Sequence, residues 1–243
     1  MSNTQKPELL APAGTLEKLK FAVQYGADAV YIAGKQYGLR AFAGNFDKDE
    51  MAEGIQFAHE RNVKVYVTVN VFAHNADFVE MEAYLKELLA LQVDAIIVSD
   101  PGIIRLAREK VPDLPIHIST QANCTNWSSV QFWKDMGAER VVLARELSLL
   151  EIHEIREKVD VELETFVHGA MCISYSGRCL LSNYMTERDS NQGQCAQACR
   201  WNYNLVEEKR PNEFYPRHIC IQFTGFVSAP AFKRSGRRRD CQL

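Results

Sequence analysis

RVVLARELSLLEIHEIREKVDVELETFVHG, residues 140–169, holds one complete structural unit. It opens on an apolar run, RVVLARE (140–146), passes into a helical pattern, LSLLEIHEIREKV (147–159), and returns to an apolar run, VELETFVHG (161–169). A strand, a helix and a second strand in that order form a parallel pair joined by a right-handed crossover. The same alternation extends back to the N-terminus. Strand-like runs stand at ELLAPAG (8–14), DAVYIAG (28–34), KVYVTVN (64–70), DAIIVSD (94–100) and PIHISTQ (115–121). Helical patterns lie between them, among them TLEKLKFAVQYG (15–26), DKDEMAEGIQFAHERN (47–62) and DFVEMEAYLKELLALQ (77–92). Most runs are nearly all apolar, as expected of parallel strands covered on both faces. Seven βα steps predict an α/β fold, a (β/α)8 TIM-barrel-like architecture of the kind that takes roughly 250 residues. A doubly wound open sheet is the alternative.

The polar residues sit where a barrel places its chemistry. Each run is apolar until its last positions and then turns polar. Asn70, Asp100, Ser119, Thr120, Gln121, Arg145, Glu146, Glu164 and His168 fall at or near strand C-termini. Barrel enzymes build their active sites at that face. An ordinary turn residue explains any one of these positions, but repetition over successive strands points to a site. Within VELETFVHG, alternation puts Glu162, Glu164, Phe166 and His168 on one face. Two acids and a histidine turned inward are costly unless they serve a site. Glu164, His168, Arg145 and Asn70 are therefore the candidate catalytic residues. Arg40, Asn45, Ser119 and Gln121 are the candidate substrate-binding residues. Arg40 and Arg145 suit bidentate contact with a small carboxylate metabolite, with a structural salt bridge as the competing reading for each.

Apolar and charged fractions of 47% and 24% are those of a globular protein. MSNTQKPELLAPAGTLEKLK contains no apolar signal-peptide core, and no run approaches the roughly 20 apolar residues of a membrane helix. A cytoplasmic chain with no membrane partner is expected. The net charge of −3 is uneven, with −8 on residues 1–216 and +5 on residues 217–243. The acidic body lacks the basic footprint of a nucleic-acid binder.

After His168 the alternation breaks. FVHGAMCISYSGRCLLSNYMTERDSNQGQCAQACRW (166–201) gathers four of the seven cysteines, Cys172, Cys179, Cys195 and Cys199, at C-x6-C-x15-C-x3-C spacing. Clustered thiols in a reducing compartment favour metal or redox work over disulfides. Four soft thiolates suit an iron–sulfur cluster or zinc. Zinc is the weaker reading, because only Cys195 and Cys199 have the short spacing of a zinc knuckle. Free or redox thiols remain a third reading. His168 and Cys172 also read as the base and nucleophile of a peptidase, although no third group is evident to orient the histidine. Ser176, in YSG, is not in a G-x-S-x-G elbow. His59-Glu60 and His153-Glu154 lack the second histidine of a zincin helix. WNYNLVEE (201–208) alternates like a strand, and beyond Tyr215-Pro216 the chain turns basic with neither a clear helix nor a βα unit. Three segments follow: a TIM-barrel-like domain at 1–169, a cysteine-rich cluster-binding segment at 170–215 and an atypical tail at 216–243.

E-x-F-x-H-G-A-M-C-x-x-Y-S-G-x-C, from Glu164 to Cys179, resembles the signature of the collagenase-like peptidases of the U class. ELLAPAG, LRAFAGNF (39–46), HISTQAN (117–123), RVVLARELSL (140–149) and GQCAQACRWNY (193–203) resemble the same family, over roughly residues 8–215. The resemblance is nearest to the tRNA hydroxylation branch. It implies conversion of the wobble uridine of tRNA to 5-hydroxyuridine, with tRNA as partner, prephenate as a possible co-substrate and a paralogous chain as a second partner. It also implies a [4Fe–4S] cluster on Cys172, Cys179 and Cys195, with Cys199 as the fourth ligand. Collagenase-like proteolysis and a non-catalytic iron–sulfur subunit are the alternatives. The family continues with Asn-Ser-Lys-Asp-Leu-Cys and a closing Lys-Ile-Glu-Gly-Arg strand, neither of which this chain has. An incomplete barrel and a frameshifted or truncated reading frame after Pro216 are expected.

Overall fold

A computed structural model of the chain describes residues 6–38, 44–169, 172–175, 177–192, 194–201, 203–207 and 210–219, with backbone alone for residue 192 and the last two segments. Seven strands form one parallel sheet: β1 (Leu10–Pro12), β2 (Ala29–Ala33), β3 (Lys64–Val69), β4 (Ala95–Val98), β5 (Ile116–Ile118), β6 (Arg140–Val142) and β7 (Glu162–Glu164). Their spatial order is their sequence order, and each pairs in parallel with the next. This is a curled, incomplete TIM-barrel-like sheet. A doubly wound sheet would reverse its strand order at a switch point. Every strand expected from the alternation is present.

The crossovers are α1 (Leu16–Gln24), α2 (Lys48–His59), α3 (Phe78–Ala90), α4 (Pro101–Lys110), α5 (Trp127–Asp135) and α6 (Leu149–Lys158). Their starts are written locally. Asp47 and Ser148 each form a capping box with the glutamate three residues on, Glu50 and Glu151. Asp100 accepts from the N–H groups of Gly102 and Ile103, with Pro101 in the first turn. Thr15 and Asn126 cap α1 and α5 in the same way.

Strand pleating divides the apolar residues into two cores. Val30, Ile32, Val65, Val67, Ile96, Val98, Ile116, Ile118 and Val141 face the helices and meet Leu19, Met81, Leu85, Ile103 and Ile155. A smaller cluster of Ala29, Tyr66, Ala95 and Ile97, with Leu10 and Tyr31, fills the inside of the curl. Beyond β7 the chain forms a short helix, α7 (Leu181–Thr186), and an antiparallel hairpin of β8 (Tyr203–Glu207) and β9 (Arg210–Ile219). The hairpin bears out strand alternation in WNYNLVEE, and β9 runs past the composition change at Pro216. Among the described residues, no helix is long and apolar enough to cross a membrane.

Candidate functional site at the C-terminal face

Three strand ends converge at this face. Asn70 follows β3, and its Nδ2 donates to Ser119 Oγ, beyond β5, at 3.4 Å. Ser119 Oγ also accepts from the backbone N–H of Gln121 at 3.2 Å. Ser99 Oγ, beyond β4, donates to the Asn70 carbonyl at 2.9 Å. Three predicted residues, Asn70, Ser119 and Gln121, thus form one hydrogen-bonded group. Asn45 is buried in the loop before α2. Arg145, beyond β6, stacks its guanidinium 4.1 Å from the Phe166 ring centroid, joining the ends of β6 and β7. Arg40 and Ser176 lie outside the described residues.

The cysteine segment is seated on this face. The Phe72 N–H donates to the Asn191 carbonyl at 3.3 Å. Gly177 has φ +71°, and a Cβ there would fall 2.7 Å from the Phe72 ring and 2.8 Å from the Gln121 carbonyl. Only glycine allows this approach without displacement. Within the segment, the Cys179 carbonyl accepts from Ser190 Oγ and Asn191 Nδ2, and buried Ser182 accepts from the Ala196 N–H.

Cys172, Cys179 and Cys195 are free thiols, and Cys199 lies in the same segment. Burial pushes the Cys199 thiol up, and the charges of Cys172 and Cys195 add to the rise. Burial also acts to raise Cys179. Hydrogen bonds from the Leu181 N–H, the Ser174 hydroxyl and the Ser182 N–H outweigh it and bring the thiol down. Among the described residues, no group of three or more His, Cys, Asp or Glu side chains is arranged to hold a metal ion. The donor types, four thiols within one segment, suit a soft metal centre.

Glu164 and His168, expected on one face, part company. β7 ends at Glu164, so strand alternation does not reach His168, which is exposed. Glu164 turns into the barrel instead, where its Oε2 lies 3.5 Å from Arg140 Nη1. Arg140, at the start of β6, is the centre of a buried polar group at the opposite, N-terminal end. Its Nη1 donates to Glu8 at 2.7 Å, and its Nε and Nη2 donate to Glu162 at 2.9 and 2.7 Å. The Tyr66 hydroxyl donates to Glu8 at 2.9 Å, and the His117 ring packs edge-on against Tyr66. Burial raises the Glu164 carboxyl above its ordinary range although Arg140 pulls it down. Burial pushes His117 down to about 3, and the Arg140 charge adds to the fall. Glu164 is therefore balanced by an arginine, and Glu162, its side chain 67% exposed at the strand start, does not carry the burial cost that made the two acids candidates. Glu8, Tyr66, His117 and Arg140 were not singled out from sequence. Their signal was a histidine in PIHISTQ and an arginine opening RVVLARE, polar groups inside otherwise apolar runs.

The profile of Peptidase family U32 matches residues 14–228, past Pro216 where the motif resemblance stopped. The chain belongs to this family. Over 209 residues the U32 chain is 58% identical to a tRNA hydroxylation protein P1 of Bacillus subtilis strain 168, covering 86% of this chain and 50% of that protein. It is 38% identical over 217 residues to a 23S rRNA 5-hydroxycytidine C2501 synthase of Escherichia coli strain K12, covering 89% of this chain and 33% of that one. The chain thus spans half or less of the length of these relatives. A solved U32 peptidase superposes with a TM-score of 0.61 at 18% identity, over 77% of this chain and 80% of that one, which supports the incomplete barrel fold.

Proposed function

We propose that this U32 chain is the barrel part of an RNA-modifying protein that hydroxylates a pyrimidine ring, in its finer form the wobble uridine of tRNA. The observation that supports it most is the seating of the four-cysteine segment, through Gly177 and Asn191, against Phe72 and Gln121 beside the Asn70–Ser119 pair, in a chain 58% identical to a tRNA hydroxylation protein. Cys172, Cys179, Cys195 and Cys199 would hold a [4Fe–4S] cluster, which their soft donor set fits. When bound, the cluster supplies one-electron or Lewis-acid chemistry. Zinc on the same thiols is the alternative. Asn70, half-buried and bonded to buried Ser119, carries a neutral amide of the kind that reads a pyrimidine edge. Arg145 provides a cation suited to the carboxylates of a metabolite such as prephenate, held in place by its stacking on Phe166. His168 is exposed on the run that leads into the cysteine segment, and in this reading it moves a proton in a reaction at this face. A paralogous chain is the protein partner in this reading.

Metal analysis of anaerobically purified protein, with nucleoside mass spectrometry of tRNA from a deletion strain, tests the reading. About four irons and four sulfides per chain are expected, along with loss of 5-hydroxyuridine. Stoichiometric zinc without iron, or unchanged nucleosides, overturns it. The family name offers peptidase activity as a second reading. Among the described residues no hydrogen bond joins His168 to Cys172, Cys179 or Cys195, as an activated thiol would require. Gelatin cleavage that is abolished by Cys172→Ala would favour that reading.

A further inference from the structure

We infer that the outer surface of the cysteine segment is a stacking platform for unpaired RNA bases. The inference rests on the RNA-modifying reading above and adds where the nucleic acid is gripped. The segment turns large aromatic rings to solvent, with Tyr175 59%, Tyr184 86% and Trp201 41% exposed. A buried face holds each element down. Ser182 in α7 is 2% exposed and accepts from the Ala196 N–H, while Tyr184, two residues on, projects from the far side of the helix. The turn at Ala198–Arg200, which precedes Trp201, packs on α7, and Ala198 is buried. The turn carrying Tyr175 is closed by the Arg178 N–H and leads into Cys179, whose carbonyl is bonded to Ser190 and Asn191. The three rings therefore stand on one hydrogen-bonded unit, which Gly177 and Asn191 seat on the candidate site.

Charge selects the occupant. Residues 1–169 sum to −8, whereas residues 172–201 sum to +1, with exposed Arg178 and Arg200 interleaved among the rings. The net charge of the barrel residues disfavours a polyanion, and that of the segment does not. Exposed aromatics alternating with arginines are how proteins hold single-stranded nucleic acid, because every base has a π-face and guanidinium groups meet both phosphates and bases. A loop whose bases are splayed out fits this surface, and a duplex with its bases stacked inside does not.

Binding of the full-length metal-loaded protein to an unmodified tRNA anticodon stem-loop, and to a blunt RNA duplex of the same length, tests the platform by fluorescence anisotropy. Wild-type protein should prefer the stem-loop. Tyr184→Ala and Trp201→Ala should each weaken stem-loop binding by between about 5- and 150-fold, the equivalent of one lost base stack. Tyr184→Phe should restore it. Tyr25→Ala, which removes an equally exposed tyrosine beside α1, should change nothing. Alanine variants that bind the stem-loop as wild type does overturn the platform and leave the RNA-modifying reading standing. Equal weakening on stem-loop and duplex also overturns it. Wild-type protein that binds neither RNA overturns both.

Discussion

His117 is 5% exposed; its ring packs edge-on against Tyr66 inside the curl and feels the charges of Arg140, Glu8 and Lys64. It folds as the neutral imidazole. Below about pH 6.5 the unfolded chain gains a proton at this residue, whereas the folded chain does not until about pH 3. Stability therefore falls as pH falls through that window, by up to about 1.4 kcal/mol per pH unit from this group. Glu164 works in the opposite sense, because its raised carboxyl takes up a proton in the folded chain first. Comparing His117→Phe with its parent at each pH isolates the histidine. Urea unfolding between pH 7 and pH 5 should show a shallower loss in the variant, and parallel curves would refute the assignment. The residue was visible in PIHISTQ, but a histidine there reads equally well as exposed or buried. Strand pleating and the pairing of His117 with Ile97 and Arg140 put it inside.

At the scale of elements, the cysteine segment is the part least like a repeat of the barrel. Its docking uses two contacts, the Phe72 N–H to the Asn191 carbonyl and the close approach of Gly177 to Phe72 and Gln121. Gly177→Ala imposes a left-handed φ on a side-chain-bearing residue, a strain of about 1–2 kcal/mol. It also drives a methyl into Phe72 and the Gln121 carbonyl. Tryptic cleavage after Arg178 and Arg188 should become several-fold faster, while the urea midpoint of the barrel stays near that of the parent. Unchanged cleavage would show that the segment is held elsewhere. The helices behave differently, because their boundaries are local. Asp47 with Glu50, Asp100 with Pro101 and Ser148 with Glu151 mark three starts that sequence alone displays. β7 marks the limit of that legibility. VELETFVHG reads as a nine-residue strand, yet pairing with β6 ends at Glu164, so the face assigned to His168 by alternation was lost.

Across the whole molecule, Arg140 ties the first and last strands of the open sheet together. Glu8 lies two residues before β1 and Glu162 opens β7, yet both are bonded to this one guanidinium. β1 and β7 each pair with one neighbour among the described residues, so the arginine bridges the gap of the curl from inside. Arg140→Met leaves Glu164 without its cation and Glu8 with Lys64 alone, 3.5 Å away. Breaking a buried ion pair in this way costs about 3–5 kcal/mol. Urea unfolding should show a loss of that size, and Glu8→Gln in the same background should recover part of it. A loss below about 1 kcal/mol would mean that water already screens the group.

The sequence by itself determined the seven strands, their parallel order, the helix starts and the cysteine-rich insertion, because each rests on local periodicity, capping chemistry or composition. It also placed Asn70, Ser119 and Gln121 at strand ends, where the fold brings them into hydrogen-bond contact. Tertiary structure alone decided that Glu164 serves Arg140 at the N-terminal end while His168 stands in solvent. It decided too that Glu8 meets Arg140 across more than a hundred residues of chain. Ion pairs of that separation are fixed by how the sheet curls, and curl is a property of all seven strands together that no single stretch encodes.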